Sequence, residues 1–251
     1  MTDDLERRMR SLRLSGMVET LPIRNRQAVE GNLSHMEFLE LLVGDELDRR
    51  RDRLLTRRLK RARLPEVKTI ADFNFSFNPK IPRALILDMA TARFVAEHRG
   101  LLLIGPSGVG KSHIAISLAV AAISAGHTAL YRSAFDLVQD LAEASATGGR
   151  RELIGELSQV ELLILEDLGM KSIPQAMAED LTEVFFRRYE RASTIVTTNR
   201  PIEDWGKVLG DTASAGAILD RFLHYAEIVS ITGPSYRLHS RKKSGIETKE
   251  G

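Results

Sequence analysis

The chain of 251 residues contains no cysteine, which removes disulfides, thiolate metal centres and cysteine nucleophiles from consideration. It has no long apolar run free of charges that could span a bilayer. The segment Met1 to Arg10 is dense in charges of both signs and is not followed by an apolar signal-peptide stretch. These absences predict a cytoplasmic protein with no membrane partner. There is no internal repeat and no monotonous segment. The six histidines, among them His98, His113 and His224, lack ligand spacing with acids and read as structural.

What is present is ordinary in bulk, at 43% hydrophobic and 28% charged residues with a net charge of only +2, but the charge is unevenly placed. The length suits one sizeable core with a smaller appendage. Residues 1–66 are rich in Leu and Arg at helical intervals and predict a small helical amino-terminal region for DNA or partner binding. Within it, Arg49 to Arg63 holds nine basic residues against the single acid Asp52. Residues 67–82 read as a linker pressed against the following domain, because Pro79 and Pro82 discourage helix and Phe73, Phe75 and Phe77 alternate as on an extended strand, the rings packing over the sheet edge or the adenine pocket rather than stacking bases. The tail 237–251 is polar and basic, without apolar periodicity, and reads as disordered.

Residues 83–236 alternate strand-like and helix-like runs, the pattern of an α/β sheet. Five short apolar runs, 101–104, 128–131, 162–165, 194–198 and 227–231, lack period-two alternation, as parallel strands covered on both faces do. Helical runs fall at 111–125, 134–158 with a break near Gly148 and Gly149, 175–191 and 214–224.

The segment Gly105, Pro106, Ser107, Gly108, Val109, Gly110, Lys111, Ser112 fits the phosphate-loop pattern at every fixed position, after a strand and before a helix. Its glycines let backbone N–H groups close round phosphate, the following helix adds the positive end of its dipole, and Lys111 supplies an ammonium between the β- and γ-phosphates. The Ser112 hydroxyl is a ligand for Mg²⁺. The pattern therefore predicts ATP and Mg²⁺ as cofactors.

A buried strand then ends in two carboxylates, Glu166 and Asp167. By position Glu166 holds the magnesium and Asp167 serves as base toward the attacking water; the plain alternative is a capped turn. Asn199 ends the next strand, where a polar amide could hold water or the γ-phosphate, or merely form an Asn-Arg-Pro turn. Arg221, near the end of a helix, is either a solvated cation or a stabiliser of charge on a transferring phosphoryl group.

Together with RLSGMVETL at Arg13 to Leu21, MEFLELLVGDEL at Met36 to Leu47, RLKRARLPEVKTIADFNFSF at Arg58 to Phe77, and then LLILEDLG, TTNRP, ILDRFLH and GPSYRL, these motifs make the chain resemble the IstB family of insertion-sequence ATP-binding proteins over about residues 5–240. The resemblance implies an AAA+ P-loop NTPase fold related to bacterial helicase loaders, acting as helper ATPase of a transposase. It makes Gly105 to Ser112 the Walker A motif, Glu166 and Asp167 Walker B, Asn199 sensor 1, and Arg221 an arginine finger that acts on a neighbouring protomer. The first Walker B acid of the family is usually Asp, so Glu166 predicts slower hydrolysis. No separate helical lid follows Tyr236, and Arg237 is a further position for nucleotide contact.

Two functions emerge. One is an ATP-dependent helper of transposition that self-assembles on double-stranded DNA and stimulates a cognate transposase; the alternative is a helicase-loader-like adaptor in replication. A small-molecule kinase would share the loop but needs a substrate pocket and lid arginines. The run Arg49 to Arg63 is the DNA candidate, through salt-sensitive phosphate contacts, against a solvated face or a protein-docking surface. Arg150 and Arg151 are a second, subordinate candidate.

Overall fold

Helix-forming Leu, Arg and Glu dominate the first sixty residues, and three helices follow from them in the computed structural model, which describes residues 3–170, 173–208 and 212–243. They are α1 (Asp3–Ser11), α2 (Ser15–Glu30) and α3 (His35–Arg61). Ser34 and Glu37 start α3 with reciprocal bonds: the Glu37 carboxylate accepts from the Ser34 N–H at 2.8 Å and the Ser34 hydroxyl accepts from the Glu37 N–H at 3.3 Å. Gly16 lets α2 approach α3, since a Cβ there would lie 2.7 Å from the Glu46 Cα. The buried Glu46 carboxylate accepts from the Gly16 N–H at 2.6 Å. Arg24 grips Asp45 through two bonds of 2.8 and 2.6 Å.

The chain divides into two compact units, residues 1–58 and 59–251. The residues read as a linker pressed against the following domain fall in the second unit. Ala62 offers its carbonyl to the Tyr131 N–H at 2.8 Å, and the Asn78 amide donates to the Thr232 carbonyl at 2.9 Å. The Phe73, Phe75 and Phe77 alternation does not make a strand. Two single 3-10 turns form instead, at Ile70–Asp72 and Phe75–Phe77. Asn74 accepts from the N–H groups of Ser76 and Phe77, and Asp72 accepts from Thr69, so local side-chain bonds override the aromatic pattern.

The second unit continues with α4 (Arg83–Met89), α5 (Arg93–Ala96), β1 (Gly100–Ile104), α6 (Lys111–Ser124), β2 (Ala129–Ser133), α7 (Ala134–Thr147), α8 (Arg150–Gln159), β3 (Leu162–Glu166), α9 (Gln175–Arg188), β4 (Ser193–Thr198), α10 (Trp205–Val208), α11 (Thr212–His224), β5 (Ala226–Ser230) and α12 (Tyr236–Lys243). The five strands pair in parallel in the order β2-β3-β4-β1-β5. β3 and β4 are buried along their whole length, β3 as an apolar run up to Glu166 and β4 with Ser and Thr on both sides of Ile195 and Val196. Arg188, 2% exposed, crosses the floor of this core and donates to the carbonyls of Leu157, Val160 and Ser193. Burial alone lowers its pKa to about 9.

At the carboxyl end, α12 is helical where disorder was expected from residue 237. Residues 244–251 of that tail lie outside the described residues. Among the described residues no helix is long and apolar enough to cross a membrane.

Candidate nucleotide-binding site

The strand order places β4 between β1 and β3, so the loop after β1 and the acids after β3 flank the end of β4. Gly105 is fixed by its N–H, which donates to the Thr198 carbonyl at 3.1 Å. A side chain there has no room: a Cβ would stand 2.1 Å from the Ile231 carbonyl oxygen. Gly108 and Gly110 adopt φ of 84° and 107°, the left-handed region that glycine enters without penalty. The loop therefore turns its backbone rather than its side chains toward the cavity, and α6 begins at once with Lys111.

That cavity, of about 190 Å³, is lined by Ser107 to His113, Asp167, Lys68, residues 72–74, 77, 78 and 81, and Tyr236 and Arg237. Lys111 and Ser112 thus share one space with Asp167. Lys111 is 5% exposed and its ammonium donates to the carbonyls of Gly105 at 2.7 Å and Pro106 at 3.0 Å. Burial lowers its pKa, opposed by the charges of Asp167 and Glu166.

Asp167 has φ of 54°, a region that Asp tolerates better than most side chains. Burial and then the adjacent Glu166 raise its pKa, while Lys111 and Arg237 pull it back. Glu166 is 8% exposed and does not line the cavity; its carboxylate accepts from the Tyr131 hydroxyl on the neighbouring strand. The Tyr131 pKa is raised, by burial first and by that carboxylate second.

Asn199 follows β4 but also stands outside the cavity lining. Its amide nitrogen meets the Met170 sulfur at 3.1 Å, and its buried carbonyl oxygen has no hydrogen-bond partner among the described residues. Arg221 is at the other end of the sheet. It lines a small pocket with His98, Gly100 and Thr194, at the amino ends of β1 and β4, and its guanidinium lies 3.7 Å from the centre of the Phe186 ring. One strand of five residues, about 16 Å, separates that end from the phosphate loop, so Arg221 is not brought to its own chain's cavity.

One wall comes from the segment read as a linker over this domain, through polar residues that sequence reasoning did not single out. Lys68, Asp72, Asn74, Asn78 and Tyr236 line the cavity, and Phe73 packs edge-on against His113 with ring centres 5.1 Å apart. Arg237, noted as a further contact, is there. Arg150 is bound instead to Asp180 and Glu183, which leaves its charge compensated within the fold.

With this geometry in place, comparison with known proteins is decisive. The sequence profile of IstB-like ATP binding proteins matches residues 7–244. The chain belongs to the IstB-like ATP-binding proteins. An IstB-like relative from Pseudomonas aeruginosa, named for insertion sequence IS21 and ATP binding, is 38% identical over 96% of this chain and 90% of its own length. One from Mycobacterium tuberculosis, also named for an insertion sequence and ATP binding, is 36% identical over 97% of each chain. Among solved structures, AMPPCP-bound DnaA from Aquifex aeolicus superposes with a TM-score of 0.59 at 18% identity, covering 75% of this chain and 58% of that one. The IstB-like chain therefore has the AAA+ P-loop fold with a five-stranded parallel sheet.

Proposed function

We propose that this chain is an ATP-hydrolysing, DNA-binding AAA+ protein that assembles on double-stranded target DNA and stimulates a cognate transposase. The observation that carries the reading is the convergence of Lys111, Ser112 and Asp167 on one cavity in an insertion-sequence ATP-binding family. The backbone of Gly105 to Gly110 holds phosphate oxygens, and Lys111 turns its ammonium from the loop carbonyls to them. The glycine cradle supports this, because a Cβ at Gly105 or Gly108 would each meet an oxygen at 2.1 Å.

The Ser112 hydroxyl and the Asp167 carboxylate share the cavity, and with the adjacent Glu166 carboxylate outside its lining they offer oxygen donors of the kind Mg²⁺ takes, its remaining oxygens coming from phosphate and water. Ser112 and Glu166 would hold it, and it would neutralise charge on the β- and γ-phosphates. Asp167 accepts a proton from the attacking water; its raised pKa makes it a stronger base than an ordinary carboxylate. Asn199 presents an unpartnered carbonyl oxygen suited to orienting that water. Arg221 acts on a neighbouring protomer's phosphates, since a strand's length separates it from its own. Arg49 to Arg63 meet DNA phosphates.

The experiment is DNA binding with ATP, a non-hydrolysable analogue and ADP across a salt series, with particle size followed in parallel, for wild type and Lys111→Ala. ATP-dependent assembly and steeply salt-sensitive binding are expected from wild type alone. Unchanged nucleotide binding in Lys111→Ala removes the phosphate-loop assignment. Selective retention of a replicative helicase rather than DNA or transposase by the amino-terminal helices favours the loader-like alternative.

A further inference from the structure

Helices α9 and α11 meet through two neighbouring aromatic contacts. Phe185 and Phe222 are buried and pack edge-on, with ring centres 5.5 Å apart. The next residue of α9, Phe186, is 44% exposed, and the residue before Phe222 is Arg221, whose guanidinium stands 3.7 Å from the centre of the Phe186 ring. The buried pair fixes the register of the two helices, and that register sets a half-exposed ring beside the cation. A phenylalanine left at the surface gains little from burial, so its face is available to the charge that covers it.

The guanidinium is otherwise sparsely engaged. Among the described residues its one ion pair is with the adjacent Asp220, at 3.7 Å and with a carboxylate that is itself largely exposed. That distance is too long for a hydrogen bond. Nearby acids are taken by other groups. Glu190 lines the same small pocket as Arg221 and accepts from the Tyr225 hydroxyl at 2.9 Å. Glu183, one helical turn before Phe186, is bound to Arg150 and Arg187. The charge of Arg221 is therefore held by a ring face rather than neutralised by a carboxylate.

We propose that Phe186 is a positioning residue for Arg221, its ring a platform that holds the guanidinium at the surface, ready for the phosphates of a neighbouring protomer. The inference rests on the reading of Arg221 given above. Its physical reason is the difference between a π face and a carboxylate as partner. A carboxylate would occupy N–H donors of the planar fork and cancel its charge, and both would have to be surrendered before phosphate is bound. A ring attracts the cation through its quadrupole, leaves the in-plane N–H groups pointing outward, and adds no negative charge. Holding the side chain in advance also reduces the conformational entropy lost when the phosphate arrives.

The test is ATP hydrolysis by the full chain on double-stranded DNA, read as kcat and KM. Arg221→Ala should lower kcat by about a thousandfold. Phe186→Leu keeps an apolar side chain and removes the ring. It should lower kcat by about 2- to 30-fold, the range of a cation–π contact, with KM and the nucleotide affinity measured by calorimetry without DNA unchanged. Phe186→Tyr keeps the face and should hydrolyse like wild type. In an Arg221→Ala background, adding Phe186→Leu should leave the residual rate as it is, because no guanidinium remains to be held. Phe186→Leu at the wild-type rate, Phe186→Tyr as slow as Phe186→Leu, or an equal loss with and without Arg221 overturns the platform. A wild type that does not hydrolyse ATP, or hydrolysis that Arg221→Ala leaves intact, defeats the reading of Arg221 itself and the platform with it.

Discussion

The backbone N–H of Asp167 donates to the side-chain hydroxyl of Thr197 at 2.9 Å, across two adjacent strands. The bond holds a non-glycine residue at φ of 54° and thereby aims its carboxylate. Thr197 is fully buried, so Thr197→Val keeps the shape and removes the acceptor. An N–H left unpaired in such a place costs about 1–3 kcal/mol, and the turn relaxes. Phosphate release should fall by about tenfold or more, while fluorescent-nucleotide affinity changes little. An equal loss in both would place Thr197 in binding rather than in aiming the acid.

Much of this site was legible because its chemistry is local in sequence. The phosphate loop is one continuous segment, and strands buried on both faces read as plain apolar runs. The rest depends on neighbours that only the strand order creates. Thr197 reaches Asp167, and Tyr131 reaches Glu166, because β3 lies between β2 and β4. The cavity wall at residues 68–81 was misread because the spacing of Phe73, Phe75 and Phe77 imitates a strand, whereas bonds from Asn74 and Asp72 set the backbone. In α12, apolar periodicity is weak, and the edge-on packing of Tyr236 on Phe77, ring centres 5.0 Å apart, had no trace in the local sequence.

Gly105 and Gly108 should fail in different ways when given a methyl group. At Gly105 the obstacle is the Ile231 backbone carbonyl, so Gly105→Ala forces β5 and the loop apart. Overpacking of this kind costs about 1–3 kcal/mol, which lowers the melting temperature by roughly 3–10 °C even without nucleotide. At Gly108 the nearest obstacle is the Ser235 side chain, whose hydroxyl can turn away although its Cβ, 2.9 Å off, must shift slightly. Gly108→Ala should melt closer to wild type yet lose nucleotide affinity, since its positive φ is what aims the loop. Calorimetric melting and nucleotide titration of both variants separate the two effects.

The amino-terminal unit should show an acid-sensitive contribution from Asp45. The hydrogen bonds from Arg24 hold its pKa down at about 2. A depressed carboxylate stabilises the fold fully above its unfolded pKa of about 4 and loses that contribution as pH falls through the folded value. Allowing for solvent screening, about 1 kcal/mol is at stake. Asp45→Asn should therefore melt lower than wild type at pH 7, and the two curves should converge between pH 4 and pH 2. A gap that stays constant over that window would assign the loss to packing instead.

Tyr131 tests the unusual first acid. Its hydroxyl donates to Glu166, whose side chain is one methylene longer than Asp. The bond fixes where that longer side chain ends, and without it the carboxylate is free to turn. Tyr131→Phe should raise the magnesium concentration needed for half-maximal hydrolysis several-fold, with nucleotide binding in the absence of magnesium unchanged. In a Glu166→Asp background the shorter acid no longer reaches Tyr131, so adding Tyr131→Phe should change nothing. A double-mutant cycle with clear coupling confirms the restraint. Additive effects, or magnesium titrations that superpose, would leave the Tyr131 hydroxyl as packing between β2 and β3 and nothing more.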